Sequence, residues 1–417
     1  MKTILIQGGK LYNGLGDPVK KNPGLIIKNG IFQQVGVEEN ESHQLLSDPK
    51  VIKINATNKW IMPGLIDGHC HLTFGHPDWS PIIGDGNVQS AELCTLRAAE
   101  NAKSVLMSGV TGISIPGGAW FTDVAIRDAI KHGIIQGPHI FAAGRFISTY
   151  GSIADTSPTS IESPHLGIGV LTNTKEEMLK EVRYQVKNGV DLIKVGDSPW
   201  GDEQMISYEE LKVITNETHR RKRKVTIHAR GAGSTQIAAN AGVDWIMHAD
   251  YAREEELEIV AKKKIPIMPT ISALEVVCNY GNEHGVPQSI IDKMRYNLDQ
   301  SIIMLELAKE FNIKLLCGTD SGNSPIMKYG KYHALELDML VKYAGYSPEM
   351  AIKAATSDNA ITLGMEGKIG AIAINYIADL IIMKDDPSKK FSSIHNDGNI
   401  QCLIQKGHIV QSIFGEI

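Results

Sequence analysis

From about residue 60 this chain alternates short, β-branched apolar runs with longer stretches of helical periodicity, eight times over. The runs are 61–65, 110–115, 139–143, 191–195, 225–228, 245–248, 265–269 and 314–317. Turn signals precede several of them, among them Ser108-Gly109, His132-Gly133, Asn188-Gly189 and Ala241-Gly242; Gly189 and Gly242 follow helical patterns and read as helix closers. Between the runs, Leu93, Leu96, Ala99, Ala102, Val105 and Leu106 mark one apolar helix face, and Ile302, Leu305, Leu307 and Ala308 contribute to another. Repeated strand–helix units call for a parallel sheet covered by helices, and eight in succession predict an α/β fold of the (β/α)8, or TIM-barrel, type.

The flanks are written differently. Residues 3–58 read as short strands with hairpin signals at Gly8-Gly9, Asn13-Gly14 and Asn29-Gly30. The tail from Gly367 repeats the style, with strands expected over 378–383 and 400–404. One small β-sandwich built from both termini accounts for this, giving residues 1–60 and 367–417 to the sandwich and 61–366 to the barrel. The plainer alternative is two unrelated β-rich extensions.

A chain of 417 residues holds one large barrel and an accessory unit comfortably. Its 42% apolar and 21% charged residues are ordinary for a globular enzyme. Net charge is −5, and no basic stripe interleaved with aromatics occurs, so nucleic acid is not an expected partner. The one basic run, Arg220 to Lys224, ends a helical pattern and reads as a solvated turn. The five cysteines, Cys70, Cys94, Cys278, Cys317 and Cys402, are odd in number and scattered, which fits neither a disulfide framework nor a Cys-x-x-Cys zinc site. Residues 1–9 carry too short an apolar stretch for a signal peptide, and no later segment is long enough to span a bilayer, so no membrane partner is expected and a reducing cytoplasm is the expected location.

Catalytic groups of such barrels sit at the C-terminal ends of the strands. His69 and His71, in Asp67-Gly68-His69-Cys70-His71, follow the first run. Lys194 lies near the end of the fourth, His228 and His248 end the fifth and sixth, and Asp320 follows the eighth. On extended chain the His-x-His pair points one way, and imidazoles with a carboxylate suit zinc and related metals. Each piece alone has a plainer reading: a packed histidine, a turn at Thr319-Asp320-Ser321-Gly322, or a salt bridge from Lys194 to Asp197. Their ordered placement at successive strand ends is what points to a site holding two divalent metals.

The chain resembles the amidohydrolase superfamily, and within it the imidazolonepropionase-related and prolidase-like branch. The motifs are Pro63-Gly64-Leu65-Ile66-Asp67-Gly68-His69-Cys70-His71, Gly137-Pro138-His139 through Gly144, Ile227-His228-Ala229 with Ala241-Gly242-Val243-Asp244 and His248, and Gly318-Thr319-Asp320-Ser321-Gly322. Ala354-Ala355-Thr356 with Asn359-Ala360, and Gly367-Lys368-Ile369-Gly370 leading to Ala378-Asp379-Leu380-Ile381, extend the likeness along the whole chain. The resemblance implies a binuclear centre of two divalent ions, with zinc the expected metal. His69, His71 and Asp320 would hold the first ion, His228 and His248 the second. Lys194 would bridge them as a carbamate formed from CO2, which turns a costly buried cation into a ligand. A metal-bridging hydroxide would then attack a small amide, with Asp320 moving the proton first as base and then as acid.

Substrate is less constrained. Long segments follow the first, third and seventh strand runs, and within them Trp79, Tyr150, His165, Tyr280 and His284 are candidate substrate contacts. Arg230, two residues after His228, could bind a substrate carboxylate bidentately, or pair with Asp250. Prolidase-like relatives carry Gly-Gly-His in the third loop. Here Gly151-Ser152-Ile153-Ala154-Asp155 puts Ile153 in the histidine's place, which counts against dipeptide cleavage. The expected activity is hydrolysis of an N-acyl amino acid, a dipeptide or a related small amide. The alternatives are a one-metal deaminase or cyclic amide (imidazolone) hydrolase, against which Lys194 argues, and a non-catalytic scaffold, against which the retention of all six ligand positions argues. Similar enzymes often form homo-oligomers, and no segment here marks such an interface.

Overall fold

The computed structural model describes residues 3–36, 45–73, 90–155, 160, 167–322 and 326–414. Trp79 and His165 lie outside the described residues. The chain divides into two compact units: Met1–Asp67, Lys103–Gly112 and Gly330–Ile417 form the first, Gly68–Ala102 and Ile113–Tyr329 the second.

The first unit contains two sheets. Ile31–Val35, Leu25–Lys28, Thr3–Gln7 and Val51–Asn55 form a four-stranded sheet in that order. The second sheet runs His408–Ser412, Ile400–Gln405, Leu380–Met383, Trp60–Pro63, Lys10–Leu11, Lys20–Lys21. The two ends of the chain therefore meet in one sheet, where Ile381 lies opposite Met62 across an antiparallel pair. Side chains alternate across each strand. Ile4 and Ile6 accordingly join a core with Phe32, Ile54, Leu11, Ile61, Leu380, Ile382 and Ile404 from both sheets, while Leu5, facing the other way, meets Ile26 and Val51.

Asn29 and Gly30 make the expected two-residue hairpin, with φ of 55° and 83°, the left-handed pair that a type I′ turn requires. Gly8-Gly9 does not close a hairpin: it hands the chain from Thr3–Gln7 in one sheet to Lys10–Leu11 in the other. The expected first barrel strand is also divided. Trp60–Pro63 belongs to the terminal sheet, and Leu65–Asp67 starts anew after Gly64. Gly64 donates to Asp379 O at 3.1 Å while Leu65 donates to Gly109 O at 3.0 Å. A Cβ on Gly64 would lie 2.3 Å from the Thr111 side chain, so this crossover tolerates no side chain.

In the second unit, Gly169–Leu171, Phe146–Ser148, Leu192–Gly196, Lys224–Ala229, Trp245–His248 and Ile267–Met268 form a six-stranded parallel sheet in that order. Intervening helices carry the start and stop signals the sequence advertises. Thr174 with Glu177 and Ser207 with Glu210 form capping boxes, and Gly242 closes Ala232–Ala241 at φ 82°. The α/β class is therefore present, but among the described residues the paired strands form no closed barrel sheet. The expected eighth strand is reduced to one bridge, Ile267 with Leu315. Beyond it the backbone passes Gly318 and then Asp320 at φ 55°, a conformation no strand accommodates.

None of the five cysteines is in a disulfide and all are buried, and no described helix is long and apolar enough to cross a membrane. The basic run is not simply solvated. Arg220 and Arg221 both grip Glu217, with Arg221 Nε at 2.7 Å, and Arg183 joins them at 3.0 Å. Lys224 pairs with Asp244 at 3.2 Å.

Candidate active site

The segment Gly68-His69-Cys70-His71 is pinned on both edges. Cys70 N donates to Ser114 O at 3.1 Å on one side; on the other, Gly68 N donates to Cys317 O, His71 N to Ser321 O and Asp320 N to His69 O at 2.7–2.9 Å. With register fixed, His69 and His71 fall on one face and meet the same carboxylate oxygen. Asp320 Oδ1 lies 3.1 Å from His69 Nε2 and 3.2 Å from His71 Nε2, and the ligand atoms of all three lie within 4.8 Å of one another.

The sheet register delivers the rest. Gly196 lies beside His228, and Ala229 beside His248, so the two histidines arrive on neighbouring strand ends with ring centroids 4.3 Å apart. His248 in turn lies 5.5 Å from His69, which is 5.3 Å from His71. Lys194, 4% exposed, donates to Met247 Sδ at 2.8 Å. Its other expected partner is occupied: the Asp197 carboxylate accepts from Met205 N at 2.7 Å, Ile206 N at 2.9 Å and Ser234 Oγ.

Electrostatics follow from burial. Desolvation pushes Lys194 down to about 7, with Asp320 opposing and Arg230 reinforcing the shift. Burial likewise takes His69 down to about 4, and holds His228 and His248 well below the usual imidazole range, Arg230 adding to both. Burial alone would raise Asp320, but the charge of His69 and hydrogen bonds with His69 and His71 hold it well below the ordinary carboxylate value. Burial thus favours neutral rings at His69, His228 and His248 and a weakly basic amine at Lys194, around one ionised carboxylate.

Hydrogen-bond partners fix which nitrogens face inward. His71 Nδ1 lies 3.0 Å from Gly117 O and His228 Nε2 lies 2.9 Å from Ser198 O. A carbonyl only accepts, so each of these nitrogens carries the ring proton. On a neutral ring that leaves His228 Nδ1 with a bare lone pair. His71 Nε2 faces Asp320 Oδ1 at 3.2 Å. His248 Nε2 is buried with no hydrogen-bond partner among the described residues. Bare imidazole nitrogens and a carboxylate are the donor set that divalent transition metals take, so the residues fit a metal centre.

Arg230 is 4% exposed and beside this cluster. Its Nη1 pairs with Asp250, whose other oxygen accepts from Ser301 Oγ at 2.9 Å. The guanidinium lies 5.5 Å from the Trp200 ring centroid, while Nε is buried with no hydrogen-bond partner among the described residues. Tyr150 and His284 are placed elsewhere: Tyr150 is 69% exposed and His284 is exposed in the short turn Asn282–His284. Among the described residues neither is hydrogen-bonded or ion-paired to the six ligand candidates. In the third loop Ser152 Oγ donates to Asp197 O at 2.6 Å and to Gly196 O at 3.1 Å, and Ile153 covers Gly196. A hydroxyl thus ties this loop to the Lys194 strand.

Sequence reasoning missed Gly117, Ser198 and Thr270, which hold His71, His228 and His248 through their second ring nitrogens. The first two act through backbone carbonyls, which leave no mark in a sequence.

Residues 60–410 match the amidohydrolase family, and the chain belongs to it: an enzyme of a generally metal-dependent family that acts on carbon–nitrogen bonds. Ochratoxinase of Aspergillus niger is 28% identical, covering 93% of this chain and 82% of the relative. Imidazolonepropionase of Colwellia psychrerythraea is 22% identical over 93% of this chain and 91% of its own length. A crystal structure of a Xaa-Pro dipeptidase with bound methionine in the active site is 26% identical. It superposes with a TM-score of 0.84 over 98% of this chain and 100% of that one.

Proposed function

We propose that this chain is a binuclear metal-dependent hydrolase that cleaves an amide-type C–N bond in a small molecule carrying a carboxylate, an N-acyl amino acid or dipeptide being the substrate class. The observation that carries the reading is the convergence of His69, His71, His228, His248 and Asp320 on a buried lysine of lowered basicity.

In this reading His69 and His71 would hold one ion with Asp320, and His228 (through Nδ1) and His248 (through Nε2) would hold the other; zinc suits the donor set. Lys194, its basicity lowered by burial, would form a C–N bond with CO2 through its neutral amine, releasing a proton, and the resulting carbamate would serve as a further anionic ligand for the ions. Bound metals would polarise the scissile carbonyl and lower the pKa of an attacking water. Asp320, ionised at neutral pH, accepts that water's proton and returns it to the leaving nitrogen. Arg230 is already oriented by Asp250 and Trp200, and keeps a buried Nε–H available for a substrate carboxylate. The similarity to a Xaa-Pro dipeptidase supports a dipeptide-like substrate, although Ile153 departs from that branch.

A closed (β/α)8 barrel over 61–366 accompanies the proposal. The sheets are linked by Asp191 N to Ala142 O, Ala143 N to Ile115 O and Cys70 N to Ser114 O, and by the bridges Cys70 with Ser321 and Ile267 with Leu315, which supports closure. Residues 1–60 and 367–417 form the accompanying β-sandwich, and five cysteines outside any disulfide suit a reducing cytoplasm.

The test is metal stoichiometry with intact mass. About two metals per chain and a mass gain of one CO2, both reduced in Lys194→Ala, support the binuclear hydrolase. One metal unaffected by that substitution overturns it in favour of a one-metal deaminase or cyclic amide hydrolase.

A further inference from the structure

Thr270 begins the helix Ile271–Tyr280 from a left-handed backbone conformation, φ 53°, that β-branched residues rarely adopt. There its hydroxyl has two neighbours, the Pro269 carbonyl at 2.7 Å and His248 Nδ1. One proton serves the hydroxyl, so two arrangements exist. If Thr270 donates to Pro269 O, its oxygen accepts from His248 Nδ1–H, and Nε2 is left as a bare lone pair. If instead Thr270 donates to Nδ1, the ring proton sits on Nε2, a buried donor with no acceptor among the described residues. Pro269 O would then face an oxygen lone pair at hydrogen-bond distance. The first arrangement leaves only the Nε2 lone pair open, whereas the second strands both an N–H donor and the Pro269 carbonyl, so the first holds.

Resting on the proposed binuclear reading, we infer that Thr270 is a positioning residue: relayed to Pro269 O, its hydroxyl holds His248 in the Nδ1–H tautomer and presents Nε2 to the second metal. The role parallels that of Gly117 O and Ser198 O for His71 and His228. Unlike those two it is carried by a side chain, and so can be removed without touching the backbone.

The experiment compares wild type, Thr270→Val and Thr270→Ser. The His248 tautomer is read in metal-free protein by two-bond 15N–1H NMR, and zinc binding by competition with a chromophoric chelator. The valine matches threonine in shape, and the serine restores the hydroxyl, so loss in the first with rescue in the second separates positioning from general damage. The expected result is Nδ1–H in wild type and Thr270→Ser, and Nε2–H or a mixture in Thr270→Val. One of the two zinc affinities should fall about 10–100-fold in the valine variant. The inference is overturned if Thr270→Val keeps the Nδ1–H tautomer, if its zinc binding matches wild type, or if Thr270→Ser is as impaired as Thr270→Val. Wild-type protein that shows the Nδ1–H tautomer yet binds no second zinc overturns the binuclear reading instead, because the tautomer is measured without metal.

Discussion

Replacing Lys194 by methionine should stabilise the metal-free, CO2-free protein, and by an amount that depends on pH. The folded chain holds Lys194 at about 7, chiefly by burial, whereas the unfolded chain releases it to about 10.4. A base whose pKa is depressed on folding binds its proton more tightly when unfolded. The resulting penalty is fully present below pH 7 and fades as pH rises through the unfolded value. Linkage puts the penalty at about 4–5 kcal/mol at pH 7, about 2 kcal/mol at pH 9 and near zero above pH 10.5. Methionine keeps the length without the charge and gives up only the weak hydrogen bond to Met247 Sδ. Urea unfolding of both proteins at pH 7, 8 and 9, after chelation and degassing, reads the difference. The variant should be the more stable at pH 7, with the gap closing by roughly 1.4 kcal/mol per pH unit above it. Bicarbonate should recover stability in wild type alone. Parallel pH dependences would show that Lys194 is charged and compensated in the fold, and the carbamate argument would lose its chemical starting point.

Asp320→Asn should cut kcat by roughly 10²–10⁴ while zinc analysis shows at least one metal retained; a variant with full metal and most of its turnover would remove Asp320 from proton transfer. Arg230→Met should raise KM for a carboxylate-bearing amide far more than for its neutral methyl ester, and equal effects on both would assign Arg230 to structure. For Glu217, burial opposes ionisation, yet hydrogen bonds from Arg220, Arg221 and Arg183 win and take it down to about 2. Its contribution is present above the ordinary glutamate pKa and lost as pH falls towards 2, so Glu217→Gln should flatten the acid limb of the stability curve measured between pH 5 and 3.

The residues most readily found in the sequence were those whose chemistry is rare in apolar strands. A lysine at 194 and histidines at 228 and 248 contradict their own hydrophobic surroundings, and that conflict marks them. The terminal strands were readable from the turn signals that bound them, and Asn29-Gly30 does close a hairpin. What stayed hidden was geometric. Nothing in Gly8-Gly9 distinguishes a hairpin from a passage between sheets, since both need positive φ. Gly64 looked like one more glycine until Thr111 proved to occupy the space of its missing side chain. Arg230 was read both as a ligand for substrate and as the partner of Asp250; the pair forms, and the stranded Nε keeps the first reading in play.

The backbone carries a related signal. His248, Ala249, Thr270 and Asp320 all have φ between 53° and 74°, each costing on the order of 1–3 kcal/mol in a non-glycine residue. They occupy three different strand ends, so no single loop explains them. Each turns the chain sharply just where a polar side chain must leave the strand line: Asp320 towards two imidazoles, His248 towards its neighbours, Thr270 towards His248. An extended backbone at these points would place the next side chain on the opposite face and break the cluster. The folded chain therefore bears strain and a desolvated lysine of lowered basicity at one place, and the rest of the second unit must stabilise them. Cations binding there would engage the imidazole lone pairs and the carboxylate and leave the strain. Metal should accordingly raise the stability of this unit well beyond its effect on the terminal sheets. Hydrogen exchange resolved by segment, with and without zinc, tests this: uniform protection across both units would show that the strained strand ends are held by the fold alone.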